Sequence, residues 1–144
     1  MIQVCKNLSV GTTSDCFYDE KEDYAVVHAC KTPCHQRKLH YNRNLPPTHP
    51  NYLIYEEENH LYLNIVDMDR ILSKFADPIF LKAIEFIEKN ISTKNILIHC
   101  NLGQSRSPAI ALVYMAKNEL ITNSSYTDAI SEFVKNGQGL LCGV

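Results

Sequence analysis

Asn95-Ile96-Leu97-Ile98-His99-Cys100-Asn101-Leu102-Gly103-Gln104-Ser105-Arg106-Ser107-Pro108-Ala109-Ile110-Ala111-Leu112-Val113-Tyr114-Met115-Ala116-Lys117 is the stretch on which the fold turns. Residues 95–99 are short and apolar, as expected of a strand buried on both faces. Residues 107–117 hold few helix breakers beyond Pro108, which a first helical turn tolerates because its N–H has no partner there in any case. Residues 100–105 therefore form a loop between the carboxyl end of a central strand and the start of a helix. In open α/β sheets this is where ligands bind.

Upstream, Asp77-Pro78 reads as a helix start, with Asp as N-cap and Pro at the first helical position. Ile79, Phe80, Ala83, Ile84, Ile87 and Ile91 then recur at helical spacing and define one apolar face. Further back the chain turns strand-rich. Residues 2–4 and 8–10 are short apolar runs, and 24–29 form a continuous, partly β-branched run that suits a buried strand. Residues 52–55 and 60–66 flank Glu56-Glu57-Glu58-Asn59 and read as a hairpin or a pair of neighbouring strands. Pro33, Pro46, Pro47 and Pro50 interrupt residues 31–51, which are expected to form a loop carrying Lys31, Arg37, Lys38 and Arg43 on a solvated face. A last helix is expected over 126–135. Strands followed by helix, strand, loop and helix predict an α/β sheet with helices packed on it.

The composition agrees with one ordinary globular unit. The chain has 144 residues, 45% hydrophobic and 21% charged, enough to bury a core without disulfides or a structural metal. A formal charge of −2 does not point to nucleic acid. No apolar run reaches membrane-spanning length, and Met1-Ile2-Gln3-Val4-Cys5-Lys6 does not resemble a secretory leader, so the expectation is a cytosolic protein with reduced thiols. Cys5, Cys16, Cys30 and Cys142 read as small hydrophobes. His28, Cys30, Cys34 and His35 lie close together in sequence, but their spacing matches no common zinc finger, and neither metal nor cofactor is assigned.

The side chains of the 99–107 loop suit a tetrahedral oxyanion. Amides in a tight loop can converge as an anion nest, reinforced by the positive end of the following helix dipole. Arg106 can clamp two oxygens with its planar fork, which Lys could not do in the same geometry. A field that attracts phosphate also favours thiolate, so Cys100 becomes a candidate nucleophile. Gly103 permits a turn with positive φ, and the Ser107 hydroxyl can donate to the sulfur. Asn101, Leu102, Gln104 and Ser105 supply the remaining backbone of the phosphate loop.

A Cys and an Arg six residues apart are weak evidence alone, but the whole string is more specific. His99, Cys100, Gly103, Arg106 and Ser107 match H-C-x-x-G-x-x-R-S/T, and the chain resembles the dual-specificity phosphatases of the cysteine-dependent protein tyrosine phosphatase superfamily over about residues 62–135. The resemblance implies a single α/β domain with a central mixed, mostly parallel sheet flanked by helices and a phosphate-binding loop between strand and helix. It also implies Cys100 as nucleophile, Arg106 and the loop amides as phosphoryl ligands, and an upstream Asp as general acid. Asp69 and Asp67 are the candidates, with Asp69 favoured by its place after the approach strand. His99 is expected to orient the loop rather than act as a base.

The function so implied is hydrolysis of phosphotyrosine, extending to phosphoserine and phosphothreonine, in protein or peptide substrates through a cysteinyl-phosphate. The expected protein acts without nucleic acid or membrane, as a monomer or weak dimer. Two alternatives remain: a phosphate-reading pseudophosphatase, and rhodanese-like sulfur transfer. The uncharged Asn101, Leu102 and Gln104 speak against inositol-phosphate substrates, for which relatives often carry Lys in this loop. Relatives also commonly extend beyond the last helix, so a truncated C-terminal end is an expectation as well.

Overall fold

The computed structural model describes residues 1–67 and 72–136. Six strands, β1 (Ile2–Cys5), β2 (Leu8–Gly11), β3 (Tyr24–His28), β4 (Ile54–Glu57), β5 (His60–Leu63) and β6 (Asn95–His99), form one sheet in the order β1-β2-β6-β3-β5-β4. The pairs β2/β6, β6/β3 and β3/β5 are parallel, while the outer pairs β1/β2 and β4/β5 are antiparallel, so the sheet is mixed and mostly parallel. Register aligns the strand ends: His99 lies beside Gly11 on one side and His28 on the other, and His28 lies beside Tyr62.

The two sheet faces differ. Leu8, Val10, Ala25, Val27, Leu61, Leu63, Ile96 and Ile98 join the main hydrophobic core, which is closed by three helices. These are α2 (Ser73–Asn90), α3 (Arg106–Lys117) and α4 (Tyr126–Asn136), contributing Ile79, Phe86, Ile87, Ile110, Met115 and Phe133. Successive strand residues point to opposite faces, so Val26, His28, Leu97 and His99 face the other way. That side is covered by a 3-10 helix, Thr13–Glu20, and by the helical turn Lys31–His35 leading into α1 (Gln36–Lys38).

Three expected boundaries are corrected. Helix α2 begins at Ser73, not at Pro78, because Leu72 is extended and its carbonyl already accepts the amides of Phe75 (2.9 Å) and Ala76 (3.0 Å). The half-buried Phe75 ring, 6.4 Å from that of Tyr52, gives the extra turn something to pack on. Pro78 lies inside the helix and loses one hydrogen bond, to the carbonyl of the exposed Lys74, where water can substitute. In the hairpin, Glu56 and Glu57 belong to β4, opposite Leu61 and His60, and the strand includes them because β4 is a sheet edge where charge is tolerated. Lys82 (2.8 Å) and Lys89 (3.0 Å) pair with Glu56. Within 31–51, expected as loop, residues 33–38 form helical turns after an extended Thr32 (φ −107°, ψ 124°).

Candidate active site

The loop after β6 is held by hydrogen bonds that run both to and from the neighbouring segments. The Cys100 amide donates to the Gly11 carbonyl (3.3 Å), the Ala29 amide donates to the His99 carbonyl (2.8 Å), and the Asn101 side-chain amide donates to the Thr32 carbonyl (2.9 Å). Thr13 donates from both amide (3.4 Å) and hydroxyl (3.3 Å) to the Asn101 carbonyl. The turn closes at Gly103, whose φ is +70°; a Cβ built there would lie 3.0 Å from the Gly11 carbonyl oxygen. Both the dihedral and the close approach require glycine.

Cys100 is buried at the floor of this loop, with the Ser107 hydroxyl 3.2 Å from its sulfur. Burial pushes the thiol pKa up. The Ser107 hydroxyl, the backbone amides of Ser107 and Gly103 and the Arg106 charge outweigh it, and Cys100 titrates below an ordinary thiol. The loop therefore favours the nucleophilic form of its cysteine.

Arg106 opens α3 and is one-tenth exposed. Its Nη1 donates to the carbonyls of Ala29 (3.4 Å) and Ile65 (3.2 Å), and its Nη2 donates to Asn101 Oδ1 (2.8 Å). A guanidinium has five N–H groups, two on each Nη and one on Nε. Nη1 is thus fully engaged, Nη2 keeps one hydrogen, and the buried Nε has no acceptor among the described residues. The remaining donors are the Nε–H and one Nη2–H, a pair of the kind that can take two oxygens of a phosphoryl group.

Asp69 lies outside the described residues. Asp67 is exposed and accepts from the Ser105 hydroxyl (3.1 Å), with its other oxygen 3.9 Å from Arg106 Nη2. A carboxylate is thereby placed at the rim of the loop. Leu102 and Gln104 are both exposed.

Behind the loop the structure assembles a polar layer that sequence reading missed. The buried His99 ring approaches His28, with Nε2 2.8 Å from Nδ1 of His28, whose Nε2 is 3.3 Å from Nδ1 of His60. The Tyr62 ring stacks on His28 at 4.3 Å and 3°. Burial is the main force holding His28 down at about 4, which leaves its ring neutral at physiological pH. Their common signal is register: His28, His60, Tyr62 and His99 fall on one face of adjacent parallel strands.

Residues 24–139 match the family model described as "Dual specificity phosphatase, catalytic domain". The chain belongs to that family. The match starts well before residue 62, so the family likeness includes β3 and the following segment that supplies Ala29 and Thr32, a wider span than the signature and its flanks suggested, while Gly11 and Thr13 lie outside it. The human "Dual specificity protein phosphatase 9" is 30% identical over 90 residues, covering 61% of this chain and 23% of that protein, so the chain spans less than a quarter of this curated relative. Among solved structures, DUSP15 superposes with a TM-score of 0.61 at 18% identity, covering 94% of this chain and 74% of that one. The PTP-2 phosphatase of Cydia pomonella gives 0.60 at 19%, covering 93% and 78%. The human "tyrosine phosphatase-like serine/threonine/tyrosine-interacting protein" gives 0.59 at 19%, covering 94% and 82%. At these identities the superpositions establish the shared fold.

Proposed function

We propose that this member of the dual-specificity family is a cysteine-dependent phosphomonoester hydrolase acting on phosphotyrosine, and on phosphoserine and phosphothreonine, in proteins or peptides. The observation that carries the reading is the pairing of a thiol biased toward thiolate with a guanidinium whose Nε–Nη2 edge has donors to offer. Phosphoryl transfer passes through a loose transition state with charge on three equatorial oxygens, so positioning and electrostatic stabilisation supply most of the rate. In this scheme Cys100 attacks phosphorus in line, the S–P bond forms as the P–O ester bond breaks, and a carboxylic acid protonates the leaving oxygen. Water then attacks the cysteinyl-phosphate, releasing phosphate and restoring the thiolate, whose departure the Ser107 hydroxyl assists.

Asp69 is proposed as the acid, and the contacts of Asp67 support the pairing: Asp67 is already committed to Ser105 and lies beside Arg106. The backbone amides of Asn101, Leu102, Gly103, Gln104 and Ser105 are assigned to the phosphoryl oxygens. A reducing, cytosolic setting suits a nucleophilic thiolate accompanied by Cys5, Cys30 and Cys34 as free thiols. A monomer or weak dimer is proposed. No helix among the described residues is long and apolar enough to cross a membrane.

The test is hydrolysis of p-nitrophenyl phosphate and of a phosphotyrosine peptide. Turnover, inhibition by vanadate, a trapped cysteinyl-phosphate and loss of activity in Cys100→Ser are expected. A folded protein that binds phosphopeptide without turnover would replace the hydrolase with a phosphate reader.

A further inference from the structure

The polar layer behind the phosphate loop brings four side chains of metal-ligating type to one point. Cys16 from the 3-10 helix, His28 from the end of β3, Cys34 from the turn Lys31–His35 and His99 from the end of β6 each place one sulfur or ring nitrogen within 4.8 Å of all the others. His28, Cys34 and His99 are buried and Cys16 is half-buried. Nδ1 of His28 lies 2.8 Å from His99 Nε2 and 3.7 Å from Cys16 Sγ. An imidazole nitrogen carries either one proton or one lone pair, so this atom can satisfy only one of those neighbours well. A cation at the centre of the four would satisfy all of them together.

We propose that Cys16, His28, Cys34 and His99 form a structural zinc site that braces the phosphate loop from behind. Two thiolates and two imidazoles are a borderline-soft, tetrahedral donor set of the type zinc takes in closed sites. Zinc bonds of about 2.3 Å to sulfur and about 2.0–2.1 Å to nitrogen imply ligand-to-ligand edges of roughly 3.3–3.8 Å. The observed cluster brackets that range, so small side-chain rotations complete the tetrahedron. As the ion enters, each thiol gives its proton to solvent, and the centre Zn(Cys)₂(His)₂ is neutral overall.

The surroundings suit the assignment. His60 stands 3.3 Å from the second ring nitrogen of His28, placed to accept its proton once Nδ1 binds the ion, and Tyr62 stacks on that ring. A cavity of about 270 Å³, bordered by Cys16, His28, Cys34, Arg37, Lys38 and Tyr62, gives an ion a way in. The neighbours Cys30 and His35, which sequence proximity had grouped with His28 and Cys34, are not in the cluster, and His35 turns its Nδ1 to the Tyr41 hydroxyl at 2.8 Å. All four positions come from the protein, leaving no open coordination site, so the ion's work is structural. It ties the 3-10 helix, β3 and the turn after it to the residue that precedes the nucleophile.

The experiment uses the full chain in a Cys100→Ser background, so that the site nucleophile cannot act as a stray metal ligand. About one zinc per chain is expected by elemental analysis, with a melting temperature that falls when a chelator strips it. Cobalt added to the stripped protein should give the visible bands of a tetrahedral centre with thiolate charge transfer, displaced by zinc. Adding Cys34→Ser or Cys16→Ser should weaken and shift those bands, whereas Cys30→Ser and Cys5→Ser should leave them intact. X-ray absorption of the zinc form should report two sulfur and two nitrogen neighbours, a readout that holds even where a ligand variant fails to fold. A six-coordinate cobalt spectrum, sulfur-free coordination, or a spectrum unchanged by Cys34→Ser in soluble protein would overturn the proposal.

Discussion

Replacing Arg106 by lysine separates guanidinium geometry from positive charge. In the structure Nη1 is tied to two carbonyls and Nη2 to Asn101, so the fork offered to a phosphoryl group has two N–H groups, one on Nε and one on Nη2. A hydrogen bond to a charged group contributes about 1.5–3 kcal/mol. Two such bonds, strengthened as charge gathers on the equatorial oxygens, sum to about 3–6 kcal/mol, and one factor of ten in rate corresponds to about 1.4 kcal/mol. Losing both should lower kcat/KM by roughly 10²- to 10⁴-fold. Arg106→Lys keeps the charge and should fall near the lower end of that range, with Arg106→Ala near the upper end. Steady-state hydrolysis of p-nitrophenyl phosphate gives the rates, and vanadate inhibition should weaken in parallel because it reports the same fork. Thermal melting checks that each variant is folded. If folded Arg106→Lys keeps its rate within about threefold and its vanadate affinity is unchanged, the guanidinium does not hold the transferring group, and the reasoning fails.

Ser107→Ala removes the hydroxyl 3.2 Å from the Cys100 sulfur, the proposed nucleophile. Since that donor favours the thiolate, the acid limb of the kcat/KM–pH profile, and of the iodoacetate alkylation rate, should move to higher pH; a fixed or downward-moving limb would contradict the assignment. Gly103→Ala forces a side chain onto φ +70° and against the Gly11 carbonyl, and it should cost more than about 1 kcal/mol, read as a melting temperature lower by about 3 °C or more, together with reduced turnover. Asp69→Asn should lower kcat on a phosphotyrosine peptide by about 10²- to 10⁴-fold, with a smaller loss on p-nitrophenyl phosphate, whose leaving group needs less help from an acid. Asp67→Asn, which disturbs an exposed contact with Ser105, should cost about tenfold or less; the reverse order of the two effects would transfer the acid role to Asp67.

The strongest periodic signals were also the ones most easily read. Residues 95–99 form β6 as expected, and the expected helices at 107–117 and 126–135 match α3 and α4 to within one residue at each end. Errors arose where a local rule met a tertiary contact. Asp77-Pro78 is a sound helix start by propensity, but packing of Phe75 beside Tyr52 extends α2 by a further turn. The acidic run beginning at Glu56 looks like a turn until Lys82 and Lys89 neutralise Glu56 and Lys38 pairs with Glu57 at the sheet edge. Cys16, His28, Cys34 and His99 are separated in sequence and meet only through the register of β3 with β6 and the folding back of the segments that cover them. No window of local sequence contains that information.

Why the loop itself is so much more legible than its supports follows from the kind of atom each contributes. The loop needs particular side chains, a thiol, a guanidinium and a hydroxyl, and a glycine at one dihedral, so its chemistry is written in residue identities. Its supports at Gly11, Ala29, Thr32 and Ile65 act mainly through backbone carbonyls, which accept from Cys100, Arg106 and Asn101. Any residue can supply a carbonyl, and those positions are constrained only by register and by the room they leave. Gly11 is the revealing case: a Cβ there would lie 2.6 Å from Asp15 Oδ2 and 3.1 Å from the Leu97 side chain. Its identity therefore reflects crowding beneath the site rather than chemistry at it. Substitution at Ala29 or Ile65 should thus act through packing, leaving the carbonyl acceptors of Arg106 in place, while substitution at Cys100, Arg106 or Ser107 changes the groups to which the proposed chemistry is assigned.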